Sequence, residues 1–213
     1  MPKLRVAIIP VSPYQQNCSL IFDEETKRGA VVDPGGDLDR IDAAIAKLDL
    51  TIEKILLTHG HTDHAGGADE LREKLGVTIE GPHRDDQWLL DGLAERGVDD
   101  GMFNNRNVVP DRYLGDGDTV EVAGFVFEII HAPGHSPGSV VFFNRENGFA
   151  LMGDVLFRNS IGRTDLPRGN HETLLKSIRE KVLPLGDHVQ FLPGHGPASS
   201  IGDERLNNPF LQW

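Results

Sequence analysis

The sequence predicts an α+β fold, a single domain over residues 1–213 built from two similar halves in which strands precede helices. Three observations carry that expectation. Short β-branched or apolar runs recur between turn residues, as strands do. Apolar residues spaced i, i+4 and i+7 or i+8 follow them, as amphipathic helices require. Several strand-like runs also end in a turn that presents His or Asp. At 213 residues the chain can bury a sizeable core without dividing.

In order, residues 6–11, 19–22 and 30–32 read as strands. The third ends in the tight turn Asp33-Pro34-Gly35-Gly36, after which Asp37 is expected to cap a helix burying Ile41, Ile45 and Leu48. A strand at 54–57 leads into Thr58-His59-Gly60-His61-Thr62-Asp63-His64. A helix beginning at Asp63 or His64 places Ala65, Ala68, Leu71 and Leu75 on one face, and Gly76 ends it. Residues 83–96 are expected to be helical, and the polar stretch 97–110 to connect the halves. Beyond it, 119–122 and 125–130 flank Ala123-Gly124 as a hairpin, and 140–143 and 149–152 flank a second turn. Residues 157–170 lack periodicity and read as a loop. A helix capped near Asn170 buries Leu174, Ile178 and Val182, and 189–192 is the last strand.

Composition narrows the function classes. The net charge is −12, from 33 acidic against 21 basic residues, and no Lys/Arg cluster appears, which argues against a nucleic-acid partner. The one cysteine, Cys18, excludes an internal disulfide and fits a reducing compartment; within Asn17-Cys18-Ser19-Leu20 it reads as a buried strand thiol. The apolar run Val6-Ala7-Ile8-Ile9 is broken by Pro10 and is too short for a signal or a membrane span, so cytoplasmic residence without membrane association is expected.

The densest chemistry lies at 59–64, where three imidazoles and a carboxylate fall within six residues. Packed together in a core these groups would be costly to desolvate, and on a surface nothing would require this spacing. All are ligands for a divalent transition metal. The other ligand-bearing turns follow strands: Pro133-Gly134-His135, Gly153-Asp154 and Pro193-Gly194-His195. Aligned strands would gather these ends in one place. The tally of His59, His61, Asp63, His64, His135, Asp154 and His195 is too large for one four-coordinate ion. It suits two ions with three ligands each and Asp154 shared, a pair that deprotonates water near neutral pH and polarises an acyl or phosphoryl oxygen. The donor set favours zinc, with iron or manganese as alternatives.

These motifs, together with Val32-Asp33-Pro34-Gly35, Ala132-Pro133-Gly134-His135-Ser136-Pro137-Gly138, Gly153-Asp154-Val155-Leu156-Phe157 and the ending Asn208-Pro209-Phe210-Leu211, resemble the metallo-β-lactamase superfamily, and within it the short bacterial glyoxalase II-like hydrolases. The resemblance covers nearly the whole chain. It implies an αββα sandwich of two mixed sheets flanked by helices. It further implies one metal held by His59, His61 and His135, a second by Asp63, His64 and His195, and a bridging Asp154. The implied activity is hydrolysis of S-lactoylglutathione or a related acylglutathione by a hydroxide held between the metals, with Asp63 a further candidate proton acceptor. Asp33 is either a carboxylate orienting a ligand imidazole or a plain turn residue. The helical C-terminal extension that carries glutathione contacts in longer members has no counterpart in the 18 residues after His195. Arg163 is the expected substitute contact, whereas Arg158 and Arg168 read as surface residues.

The string Gly162-Arg163-Thr164-Asp165 also resembles the persulfide dioxygenases of the superfamily, which would use a single iron on His59, His135 and Asp154. A β-lactamase fits less well, because the ligands here are all His and Asp. A metal-dependent sensor would need coordinatively closed sites, which seven ligands over two ions do not provide. His83, His171 and His188 read as surface residues, and His131 as a packed or ligand-supporting one. The oligomeric state has no signature in the sequence.

Overall fold

Period-two alternation puts Val31 and Ile55 on one face of a sheet and Ala30, Val32 and Leu56 on the other, and both faces are apolar. Such a sheet must be covered on both sides, and that requirement organises the molecule. A computed structural model describes residues 2–212. In the first half β1 (Leu4–Val11), β2 (Gln16–Asp23) and β3 (Arg28–Val32) form an antiparallel meander. Helix α1 (Leu38–Leu48) crosses to β4 (Thr51–Leu56), parallel to β3. Helices α2 (Thr62–Ala65) and α3 (Ala68–Leu75) then lead to β5 (Thr78–Glu80), parallel to β4. A 3₁₀ turn at Arg84–Asp86, α4 (Gln87–Leu90) and α5 (Leu93–Asp99) complete this half.

The second half begins with the antiparallel strands β6 (Thr119–Val122), β7 (Phe125–His131), β8 (Val140–Asn144) and β9 (Phe149–Gly153). A small hairpin of β10 (Leu156–Phe157) and β11 (Ser160–Ile161) precedes α6 (His171–Ser177). Strand β12 (Gln190–Pro193) returns parallel to β9, followed by β13 (Ser199–Ser200) and α7 (Ile201–Asn207). The sheets run β1-β2-β3-β4-β5 and β13-β12-β9-β8-β7-β6.

Between the sheets Ile21, Val32 and Leu56 pack with Phe127, Phe142 and Leu151. Outside the first sheet lie Ile41 and Leu71 of α1 and α3, and outside the second Leu174 and Ile201 of α6 and α7. Burying each large side chain contributes about 1.5–3 kcal/mol. The result is the αββα sandwich. Among the described residues no helix is long and apolar enough to cross a membrane.

Several local expectations need correction. Asp37 sits at the start of α1 in a left-handed conformation (φ 48°) and makes no side-chain cap; its carboxylate accepts from Ser12 N–H instead, at 2.9 Å. The helix expected after Asp63 is two helices, because Gly67 N–H donates to Pro34 O and not back along the helix. Residues 83–96 are a 3₁₀ turn and two short helices, the second running on to Asp99. The segment read as a loop at 157–170 carries most of the β10–β11 hairpin. Strand β5 and helix α7 lie outside the elements expected from the sequence. Cys18 is fully buried, as expected of a strand thiol.

Candidate metal centre

Parallel strands end at the same level, so the turns after β3, β4, β9 and β12 meet at one edge of the sandwich, joined by the turn after β7. Cross-links fix their relative heights. Val140 N–H donates to Thr58 O at 2.8 Å, and Gly194 N–H to Gly153 O at 2.8 Å. Asn17, on β2 of the opposite sheet, donates its N–H to Gly194 O at 2.7 Å and its side-chain amide to Pro193 O and Gly196 O.

All seven residues of the sequence tally meet at this edge. His59, His61 and His135 form one triad and Asp63, His64 and His195 another, each with ligand atoms within 4.8 Å of one another. His61 Nδ1 lies 2.9 Å from His135 Nε2, and His64 Nε2 lies 3.3 Å from His195 Nε2. Asp154 stands between the triads. Its Oδ1 is 3.4 Å from His64 Nε2, and its Oδ2 is 3.6 Å from both His135 Nε2 and His195 Nε2. Glycine is required at 194, where any Cβ would collide with the Asp154 carboxylate and the His64 ring.

The ring nitrogens facing away from the centre are held by acceptors, which sets each tautomer. His59 Nδ1–H donates to Thr58 Oγ1 (3.1 Å), His64 Nδ1–H to Asp33 Oδ2 (2.9 Å), His135 Nδ1–H to Arg163 O (2.8 Å) and His195 Nδ1–H to Tyr14 O (3.2 Å). Each leaves Nε2 directed inward. Asp33 also accepts Thr58 N–H at 2.7 Å and Thr58 Oγ1–H at 2.6 Å, so one carboxylate lies behind two imidazoles of the cluster.

Two buried polar atoms at the centre, His59 Nε2 and Asp154 Oδ1, have no hydrogen-bond partner. An orphaned imidazole nitrogen in a fully buried ring is costly unless it meets a cation. The residues therefore fit divalent metal ions. Protonation differs between the two triads. Burial, and then the neighbouring His64, pushes His59 well below the ordinary histidine range, and burial and His135 do the same to His61. Burial is also the largest influence on His64, but Asp154, Asp63 and Asp33 together outweigh it and push the ring up to about 10. Burial acts to raise Asp63, yet His64 and His195 hold its carboxyl far below the usual range.

Beside the centre opens a cavity of about 560 Å³, with Trp88, Leu89, Phe157 and Leu166 as an apolar wall. Arg96 lines the same cavity. Its guanidinium donates to the Trp88 and Leu89 carbonyls and, among the described residues, makes no ion pair. Arg163 also lines the cavity, but its exposed guanidinium is paired bidentately with Asp165 at 2.8 Å. Arg168 lies over the Trp88 ring, 4.4 Å from its centroid. Arg158 lines a different depression. His131 stacks on His83 (4.0 Å, 16°) and donates to Pro137 O, so it packs away from the centre. Sequence reasoning did not single out Thr58, Arg96 or Trp88. Thr58 stood within the histidine string, but nothing in sequence distinguishes Arg96 from other surface arginines.

Comparison with known proteins agrees with this geometry. The family model for the metallo-beta-lactamase superfamily matches residues 11–195. Hydroxyacylglutathione hydrolase GloC of Haemophilus influenzae is 46% identical over 209 residues, covering 98% of each chain. Among solved structures, the BLEG-1 B3 metallo-beta-lactamase superposes with a TM-score of 0.90 at 35% identity, covering 98% of this chain and 100% of that one. TTHA1623 in a di-iron-bound form gives 0.86 at 34% identity, covering 96% and 100%. ETHE1 from Myxococcus xanthus gives 0.77 at 26% identity, covering 97% and 83%. With its fold, its clustered histidines and aspartates and these matches taken together, the chain belongs to the metallo-beta-lactamase superfamily and is a metallo-hydrolase of that family.

Proposed function

We propose that the protein hydrolyses a glutathione thioester, S-lactoylglutathione or a related acylglutathione, to glutathione and a hydroxy acid. The observation that carries this reading is the pair of complete ligand triads facing one carboxylate beside an apolar cavity. The identity to the GloC hydrolase supports it. His59, His61 and His135 would hold one ion and Asp63, His64 and His195 the other, with Asp154 shared. Zinc leads on the donor set, and iron and manganese match it too. When bound, such a pair supplies an activated water and stabilises charge on the thioester carbonyl oxygen.

The chain's own groups do the rest. Trp88, Leu89 and Phe157 wall off water from the acyl side of the substrate. Asp63 lines the cavity and would serve first as a ligand, because a carboxyl held far below the usual range is a weak acceptor for the proton of the attacking water. Arg96, which makes no ion pair among the described residues, would offer its cation to a substrate carboxylate, the role that the resemblance gives to a C-terminal extension in longer members. No protein nucleophile is needed, because a thiolate leaves readily.

A second reading is oxygenation of glutathione persulfide at a single iron on His59, His135 and Asp154. The string Gly162-Arg163-Thr164-Asp165 and the likeness to ETHE1 favour it. The Arg163 carbonyl has another use here, since it orients His135. Purified protein assayed with S-lactoylglutathione and, separately, with glutathione persulfide in an oxygen electrode decides between them. Oxygen uptake without thioester hydrolysis would sink the hydrolase reading.

A further inference from the structure

Asp86 is fully buried, and it is not among the ligands. It ends the 3₁₀ turn before α4 and reaches between two ligand-bearing turns. Its Oδ2 accepts Gly60 N–H at 2.9 Å and Ser136 Oγ–H at 2.7 Å, and its Oδ1 accepts Gly138 N–H at 2.6 Å. Gly60 lies between His59 and His61, and Ser136 follows His135. The three donors therefore belong to the two turns that carry the three-histidine triad. The second triad contributes none.

Contact is as close as the hydrogen bonds suggest. A Cβ at Gly138 would lie 2.6 Å from Asp86 Cγ, and one at Gly60 would lie 2.8 Å from Leu89 Cβ and 3.2 Å from Asp86 O. The same short segment turns Trp88 and Leu89 into the cavity wall. Backbone N–H groups face both carboxylate oxygens, so an amide at this position must aim its NH2 at a donor. Burial raises the Asp86 carboxyl above its ordinary range, and the bonds from Ser136, Gly60 and Gly138 offset part of that cost.

We propose that Asp86 is a positioning residue that locks the His59–His61 turn to the His135 turn, so that the three-histidine site has its metal-binding geometry before an ion arrives. The inference rests on the metal assignment above but not on the identity of the substrate.

Zinc(II) alone, titrated into metal-free protein against a chromophoric chelator, tests it with no thioester present. Asp86→Asn is expected to weaken one of the two zinc equivalents about ten- to a hundredfold, as loss of a ligand-orienting partner does, and to leave the other within about threefold. The deficit should persist in a His195→Ala background, where only the three-histidine triad is intact, and vanish in a His61→Ala background. Ser136→Ala, which removes one of the three donors, should weaken the same equivalent by less than about tenfold. Unchanged zinc affinity, or equal loss at both sites with a lowered melting temperature of the metal-free chain, would overturn the proposal. If Asp86→Asn fails to fold, Ser136→Ala decides alone, and wild-type affinity in that variant counts against Asp86. A wild-type protein without thioesterase activity would refute the substrate reading and leave this result standing.

Discussion

Replacing Asp33 with Asn changes one atom and should disturb the two proposed metal sites unequally. Asn tolerates the left-handed backbone at this position (φ 52°), so the variant adds no strain that Ala would. The amide keeps one oxygen for Thr58 N–H and puts NH2 where Oδ2 accepted Thr58 Oγ1–H and His64 Nδ1–H. His64 can satisfy that NH2 only by moving its proton to Nε2, the nitrogen that faces Asp63, Asp154 and His195. A hydrogen bond to a charged group is worth about 1.5–3 kcal/mol, which converts to about ten- to 150-fold at 1.36 kcal/mol per decade. That matches the range of about ten- to a hundredfold for groups that orient metal-bound histidines. The effect on His59 passes through the neutral Thr58 hydroxyl and is worth about 0.5–1.5 kcal/mol, or roughly two- to tenfold. Chelator-competition titration should therefore show a large loss at the Asp63–His64–His195 site and a small one at the other. Thr58→Val should show only the small loss, at the three-histidine site. If Thr58→Val weakened the second site as much as the first, or Asp33→Asn weakened neither, the orientation argument would be refuted.

Four further outcomes are expected. Asp154→Ala should bind fewer than two ions by elemental analysis and lose most thioesterase activity; two retained ions at full rate would rule out a shared ligand. Arg96→Ala should raise KM for a carboxylate-bearing thioester about ten- to a hundredfold with kcat little changed, and a purely structural arginine would instead lower the melting temperature. Asn208→Ala should cost about 1–3 kcal/mol in urea unfolding, because the Asn208 amide donates to Ser160 O at 2.9 Å and Glu204 Oε2 at 2.8 Å beneath the hairpin carrying Phe157. Asp23 is held down to about 2 by the Lys3 and Thr26 N–H groups. Its contribution is complete above the ordinary carboxyl range and disappears as pH falls through about 2, so Asp23→Asn should melt below wild type at pH 7 and level with it at pH 2.

The seven residues that cluster at the sheet edge could be read from sequence because their chemistry is local. His59, His61, Asp63 and His64 crowd one turn, and His135, Asp154 and His195 each follow a strand-like run and a glycine. What supports them is not local. Asp86 meets Gly138 across 52 positions and Arg96 is singled out only by the cavity it lines, so neither leaves a pattern in the chain. Strand β5 is three residues long and exists because β4 lies beside it. Asp37 followed the capping rule in composition, yet a bond to Ser12 across 25 positions claims its carboxylate.

Asn17 ties β2 of the first sheet to the turn that carries His195 on the second. On the proposed assignment each ion does the same, since each triad takes two ligands from the first 64 residues and one from beyond residue 134. The two metals are then clasps across the seam between the sheets. Parting the halves must release both, and each ion at a hundred times its dissociation constant opposes that by about 2.7 kcal/mol. Resistance to heat would thus follow metal supply, and a metal-starved chain would open along the seam before either sheet lost its strands.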